Sequence, residues 1–398
     1  MRRSNLLAAR YAALFALPGV RRFMLLSLPM RMPLGTVGLA TLLHVREITG
    51  SIAFAGSVVG MQFVAMAATA PWLGRIVDRR GPAGVLALTG VVCPLALAVM
   101  LLARTLALSH AAILAVAVVV GASAPPVTVL IRTLWRHRLA DPALRRTAFA
   151  LDAVILEVAY TIGPALIAAA VAAGPASAAM ALALVFTAAA APLMFASGAL
   201  AWWQRTRHED KPHPLGPLRE PRLINLFGAS FTLTMAFGAI EVGYASFGRG
   251  IGVDAWGPAL IAVSSIGSAC GGFLYGGLHL HAPLRRQLPV IMAIFAVPLA
   301  LHLPIGDPWL LAPVAFAAGA LIAPAMTAVS LLVAEIAPPR YATEAFMWSG
   351  TAIVTGLGAG MSVSGVLVEH FGANGAFAWA TASAALAALF ALGLRRGA

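Results

Sequence analysis

The sequence predicts an all-α integral membrane protein of twelve transmembrane helices, and three observations carry that expectation. Hydrophobic residues make up 61% of the 398 and charged ones only 10%. Apolar runs of membrane-spanning length recur along the whole chain. The basic residues fall between those runs in alternate connections, which puts nearly all of them on one side of a bilayer.

The runs cover residues 20–44, 51–73, 82–103, 106–131, 147–173, 176–203, 222–248, 255–278, 287–305, 308–334, 344–368 and 373–394. With both termini inside, 23 of the 27 Lys and Arg residues are cytoplasmic; Arg46, Arg104 and Arg249 fall outside and Arg31 lies within a run. The net charge of +13 is therefore topological, and a nucleic-acid partner is not expected. Residues 1–22 look superficially like a signal peptide. Their apolar part is short and is followed at once by Arg21 and Arg22, so the expectation is a retained cytoplasmic segment lying along the membrane surface. Cys93 and Cys270 sit in separate runs and read as buried small hydrophobes.

The fifth run carries two acids. Counted from Arg145 and Arg146, Asp152 lies about 9 Å and Glu157 about 16 Å into the layer at 1.5 Å per residue. A carboxylate near the middle of a hydrocarbon core roughly 30 Å thick costs several kcal/mol unless it is paired, protonated or facing water. That cost marks a functional site. Arg31, between Pro29 and Pro33 in the first run, is about 14 Å deep and is the matching charge, for Asp152 or for Glu157. A structural ion pair with no coupling role is the competing reading.

Between the second and third runs stands Gly74-Arg75-Ile76-Val77-Asp78-Arg79-Arg80-Gly81. Its glycines permit a tight turn, and Asp78 can cap a helix or pair with nearby arginines. This loop resembles the signature loop of the major facilitator superfamily, although Pro82 and Ala83 follow where that family usually continues with basic residues. Gly163-Pro164 in the fifth run is similar, in part, to the glycine–proline motif of the family's proton-coupled drug antiporters. The resemblance implies two pseudo-symmetric six-helix bundles, residues 1–203 and 222–398, joined by a cytoplasmic loop at 204–221. It also implies alternating access, with Gly74, Asp78, Arg79 and Gly81 as a cytoplasmic gate.

The halves echo each other. Ala345-Phe346 and Gly360 lie 197 residues after Ala148-Phe149 and Gly163. Gly277-Leu278-His279-Leu280-His281 and Arg285–Arg286 occupy the place where the Gly74 loop would repeat. The buried acids are not repeated, since Asp152 aligns with Ser349 and Glu157 with Val354. Such internal symmetry is typical of secondary transporters, whose site lies near mid-membrane between the repeats.

Gln62, Tyr160, Asn225 and Glu241 are the other candidates for lining a cavity or touching substrate. Gln62 can equally bond a neighbouring helix, and Glu241 can equally reach the headgroups at the outer end. Arg132 reads as an interface anchor, with reach into the cavity from the inner side as the alternative, and Glu335 and Glu344 as cytoplasmic-surface acids. His208 and His213 read as solvated linker residues. His279 and His281 are too few for a metal, and no nucleophile with a nearby base shows at membrane depth, so an enzyme is not expected.

The functional expectation is a secondary active transporter, a proton-coupled exporter of small, rather apolar compounds. Glu157 would be the principal proton carrier, with Asp152 assisting and Arg31 as charge partner; H+ is the coupling ion and no cofactor is implied. A carrier of a sugar, another polar metabolite or a lipid is the alternative. The partners are a small-molecule substrate and the lipid bilayer, the protein acting as a monomer. The expected place is a bacterial inner (plasma) membrane, with both termini cytoplasmic.

Overall fold

The computed structural model describes residues 2–203, 215–253, 256–278 and 282–394, without the side chains of 2–8, 52 and 53. His208, Lys211, His213, His279 and His281 lie outside the described residues. The described chain holds thirteen α-helices and no strand. They are α1 (Arg2–Ala16), α2 (Val20–Thr49), α3 (Ile52–Arg80), α4 (Pro82–Leu101), α5 (His110–Ala122), α6 (Val127–Arg138) and α7 (Pro142–Ala173), then α8 (Ala176–Ser197), α9 (Pro221–Gly250), α10 (Trp256–Gly277), α11 (Leu284–Leu301), α12 (Pro308–Ile336) and α13 (Ala342–Gly393).

Twelve crossings follow from α2 to α13 once two breaks are counted. Pro125 and Pro126 cannot donate to a helix ladder, so one span, His110–Arg138, is built from α5 and α6 together. The 52 residues of α13 would reach about 78 Å, far more than one bilayer. At Gly372 the backbone leaves the helix (φ 60°, ψ −155°). A Cβ at Gly375 would then stand 2.7 Å from the Leu367 carbonyl oxygen, so the chain has turned back on itself. The outward stripe Leu88, Val91 and Leu95 on α4 is exposed, as a lipid-facing helix requires.

The chain forms two compact units, and their division runs through α7. One unit comprises 15–138 and 158–209, that is, α2 to α6, the second half of α7, and α8. Its core joins Ala40 and Val45 of α2, Val58 of α3, Leu97 and Met100 of α4, Ile113 and Val120 of α5, Ile167 of α7 and Met180 of α8. Backbones come close where side chains vanish. A Cβ on Gly35 of α2 would meet the Ala159 carbonyl of α7 at 2.5 Å, and one on Gly163 would stand 2.8 Å from Gly35. Gly163 is thus the crossing point of α7 on α2. The Gly81 turn sits between α3 and α4 with φ 88° and ψ 166°, its N–H closing α3 on the Val77 carbonyl and Pro82 opening α4. Beside it stand Trp203 and, tilted against that indole at 4.8 Å, His137 of α6.

The other unit comprises 1–14, 139–157 and 210–398. Here α9 packs along both halves of α13, and α10 along α12. Glycines again set the contacts: Gly238 against Leu357, Gly356 against Phe231 and Gly360 against Met235 join α9 to α13, while Gly267 against Phe316 and Gly271 against Ala320 join α10 to α12. Gly360 therefore does for α13 and α9 what Gly163, 197 residues earlier, does for α7 and α2. Phe149 and Phe346, related by the same offset, stack on each other at 6.2 Å.

Five side chains depart from the sequence reading. The segment 1–22 does not simply lie along a membrane surface: Tyr11 stacks on Phe273 of α10 at 4.5 Å, donates its hydroxyl to the Phe273 carbonyl, and Arg10 bonds the Leu278 carbonyl. Burial pushes the Tyr11 phenol up to about 12, so it stays a donor at any physiological pH. Arg132 is only 4% exposed, and Glu344 is fully buried with its carboxylate against Gly216, because the Gly216–Arg219 turn covers the start of α13. Cys270 is exposed, since the glycines on either side of it, not the thiol, face α12.

Two substitutions test this account. Gly81→Ala places a Cβ on a backbone conformation that only glycine adopts readily, so it should cost about 1–3 kcal/mol; an unchanged thermal midpoint in detergent would refute the turn. Gly163→Ala should destabilise by about 1–3 kcal/mol through overpacking at the α2–α7 crossing. Gly60→Ala, which meets nothing within 4 Å, is the control and should not lower the midpoint.

Candidate functional site

The site grows from the contact of α7 with α10 in the unit that contains both. The two helices run antiparallel, and the register is written by small residues. The Thr147 hydroxyl donates to the Gly276 carbonyl at 2.8 Å. A Cβ on Gly276 would meet the Ala150 methyl at 2.7 Å, and one on Gly272 the Val154 side chain at 2.9 Å. Further along, the Ser265 hydroxyl donates to the Glu157 carboxylate at 3.1 Å. Successive contacts three or four residues apart on α7 thus descend α10 from Gly276 through Gly272 to Ser265, as on facing helix stripes. Any larger residue at Gly272 or Gly276 would lift α7 and draw Glu157 away from Ser265.

Glu157 lies 15 residues into α7, about 22 Å from its start, and is half-buried. Glu241, from α9, is half-buried and lies within coulombic reach of Glu157. Two acids far apart in sequence and one hydroxyl are therefore gathered from α7, α9 and α10. Like charges repel strongly where water is scarce, so a proton or a cation held there relieves the pair. The reading of Glu241 as a residue that merely reaches the headgroups does not account for this placement.

The remaining candidates are dispersed. Asp152 is 1% exposed on the buried side of α7, and Arg31 is 1% exposed on α2, one turn before the Gly35 crossing. The Gln62 amide donates to Thr41 Oγ1 of α2 at 3.3 Å, the helix-bridging role. Asn225 stands beside Gly393 at the start of α9, about 24 Å by helical rise from Glu241. Tyr160 is exposed on α7. Gly74 is buried on α3, Asp78 is half-buried there, and Arg79 is exposed in that helix's last turn, where its charge suits the helix dipole. Gly163 and Pro164 shape the α2–α7 crossing. A recess of about 530 Å³ lined by Thr49, Arg104, Ser109 and His110 opens at the end of α2 and the start of α5. Among the described residues no three His, Cys, Asp or Glu side chains cluster as a metal site would require.

Sequence reasoning missed three participants. Ser265 carries no signal of its own, since a serine in an apolar run is common. Tyr244 and His302 form a buried hydrogen bond at 3.0 Å that a lone histidine near a helix end did not announce. Matching Glu241 against the α10 serines by depth would have been the available clue.

The comparisons with known proteins agree with this architecture. Residues 23–352 match the model of the Major Facilitator Superfamily. No curated protein sequence matches the chain. Among solved structures, a bacterial homologue of the iron transporter ferroportin in an outward-facing state superposes with a TM-score of 0.80 at 11% identity, over 95% of this chain and 100% of its own. The human organic anion transporter MFSD10 (TETRAN) gives 0.72 at 17% identity, over 94% and 100%. The transporter FucP in its outward conformation gives 0.72 at 11%, over 96% and 99%. At such identities the likeness is one of fold. The chain belongs to the Major Facilitator Superfamily: it is a multi-pass membrane transporter and not an enzyme.

Proposed function

We propose that the protein is a proton-coupled secondary transporter that exports small, rather apolar compounds by alternating access, with Glu157 as the principal proton carrier. The observation that supports this reading most is the Glu157 carboxylate held by the Ser265 hydroxyl within a membrane-spanning helix, with Glu241 of α9 within coulombic reach. A proton bound by Glu157 removes the repulsion between the two carboxylates and lowers the cost of closing apolar helices over them. Its release, when a compound takes its place, ties the compound's movement to the proton's. Ser265 holds the ionised carboxylate in one rotamer by donating to it. Asp152, deeper in the packing of α7, assists, and Arg31 is the cation that the sequence places at matching depth. Gly74, Asp78, Arg79 and Gly81 are the gate loop; the rigid Gly81 turn and the helix-terminal arginines suit that role.

The export reading also fits the scarcity of amides. A sugar site needs several hydrogen-bonding side chains together, yet Gln62 spends its amide on Thr41 and Asn225 stands about 24 Å along α9 from Glu241. Carriage of a polar metabolite is therefore less well supported. The arginine distribution supports cytoplasmic termini; a bacterial plasma membrane, a monomer and the lack of a cofactor complete the proposal.

The test is proton release from purified protein in lightly buffered detergent, using ethidium and tetraphenylphosphonium as probes. Wild-type protein should release protons on binding, and Glu157→Gln, which mimics the protonated acid, should bind without release. Ser265→Ala should still release protons, with weaker dependence on pH. Binding without release from the wild type would overturn proton antiport.

A further inference from the structure

The end of the same unit where α10 stops carries a charged cluster that the proton-carrier reading does not use. Gly276 is its centre. A Cβ there would stand 2.8 Å from the Tyr11 hydroxyl and 3.7 Å from the Thr147 Cα, so α1 and α7 lie against one turn of α10. Arg10 and Arg146 are the sequence neighbours of those two residues, and both side chains reach that same end of α10. Arg10 Nη1 donates to the Leu278 carbonyl at 3.3 Å, and the Arg146 guanidinium lies 5.7 Å from the centre of the Tyr275 ring. That ring is buried and fixed: its hydroxyl donates to Gln287 of α11 at 2.7 Å, and Gln287 donates to the Ala282 carbonyl. Two guanidinium groups are thus brought together by hydrogen bonds and packing from three helices.

The acids nearby are already engaged. Glu335 takes Arg285 at 3.5 Å, and Asp141 accepts from the Ala143 N–H at the start of α7, at 2.9 Å. Arg145 turns back to the Leu139 carbonyl, at 2.6 and 2.8 Å. Burial, and then the charge of Arg146, hold the Arg10 guanidinium below its ordinary value, with Asp141 opposing them. Of the Arg10 nitrogens only Nη1 has a hydrogen-bond partner among the described residues, so Nε and Nη2 present one edge of the guanidinium fork, the edge that fits two oxygens of a phosphate. What lies beside that fork is apolar. Phe273, Leu274 and Leu278 are 48%, 51% and 43% exposed, and Phe273 is the ring on which Tyr11 stacks. The positive-inside bias accounts for arginines on this side of the bilayer. It does not account for two of them converging at the end of an exposed apolar stripe.

From this geometry we infer that Arg10 and Arg146 hold the phosphodiester headgroup of an anionic phospholipid, whose acyl chains lie along Phe273, Leu274 and Leu278. A guanidinium pair above an apolar stripe fits a molecule with a charged head and an apolar tail, whereas a soluble anion would use the head contacts alone. The phosphate relieves the repulsion between the two arginines and ties α1 to the half of α7 that carries Glu157. In the orientation proposed above this is the cytoplasmic leaflet, where anionic lipids make the surface negative. The inference goes beyond the proton-carrier reading and does not need it.

The test is native mass spectrometry of the full-length protein in detergent, with phosphatidylglycerol and phosphatidylcholine of equal chain length as probes. Wild-type protein should retain its first phosphatidylglycerol severalfold more strongly than phosphatidylcholine. Arg10→Gln and Arg146→Gln should each cut that preference severalfold, and the double variant should abolish it. Arg22→Gln, which removes an exposed arginine of the other unit, should keep it. If Arg146→Gln does not fold, Arg10→Gln on the peripheral α1 decides alone. Equal retention of the two lipids by the wild type, or a preference that survives loss of these arginines, overturns the inference. Displacement of the bound lipid by inorganic phosphate as readily as by phosphatidylglycerol also overturns it, since the site would then be one for a free anion. A failure of the Glu157 reading would appear in proton release and leave these readouts intact.

Discussion

Helix backbones in lipid have no hydrophobic driving force to bring them together, and this structure depends on the remedy it finds for that. Lipid tails are as apolar as leucine, so association must come from close packing and from hydrogen bonds between helices. Glycine supplies the packing at many of the crossings: Gly35 with Gly163, Gly238, Gly356 and Gly360 between α9 and α13, Gly267 and Gly271 between α10 and α12, Gly272 and Gly276 against α7. At these points carbonyls and Cα atoms of one helix occupy the volume that a side chain of the other would fill. The polar chemistry hangs on the same crossings. Ser265 reaches Glu157 only because Gly272 and Gly276 let α7 lie flat along α10.

The placement of Glu157 gains meaning from the helix that carries it. α7 gives its first half to one compact unit and its second half to the other, and the division falls directly after Glu157. On one side of this residue the helix is held by α10, through Thr147, Ala150 and Val154; on the other it is held by α2, through Ala159 and Gly163. A charge change at that residue acts where the packing partner of the helix changes. The economy of the arrangement is that one side chain lies next to both sets of contacts.

Much of this was legible in the sequence, for identifiable reasons. The spans, the Gly81 turn and the buried acids of α7 are local signals: apolar run length, a glycine where φ must be positive, a carboxylate inside a hydrophobic helix. Partnerships were not legible, because Ser265 lies 108 residues from Glu157 and nothing in either neighbourhood names the other. Glu344 and Arg132 read as surface charges because they border basic loops, but a short turn covers Glu344, and Arg132 is buried in the fold. The 197-residue offset carried more than expected: it located the Gly360 crossing from the Gly163 one. Tyr244 and His302 were missed since a histidine at a helix end is ordinarily solvated, and only the fold brings a tyrosine and a phenylalanine around it.

The docking of the first half of α7 on α10 has a consequence for how the polypeptide can be divided. A fragment beginning after the linker near residue 204 would contain α9 to α13 but not residues 139–157, the stretch that covers Gly272 and Gly276. It would present bare backbone along one face of α10, a groove one helix wide with unfilled carbonyls. Coexpressed fragments cut in that linker would have to exchange α7 across the cut before either became whole, whereas a cut ahead of Pro142 would leave the longer fragment with its own groove already filled.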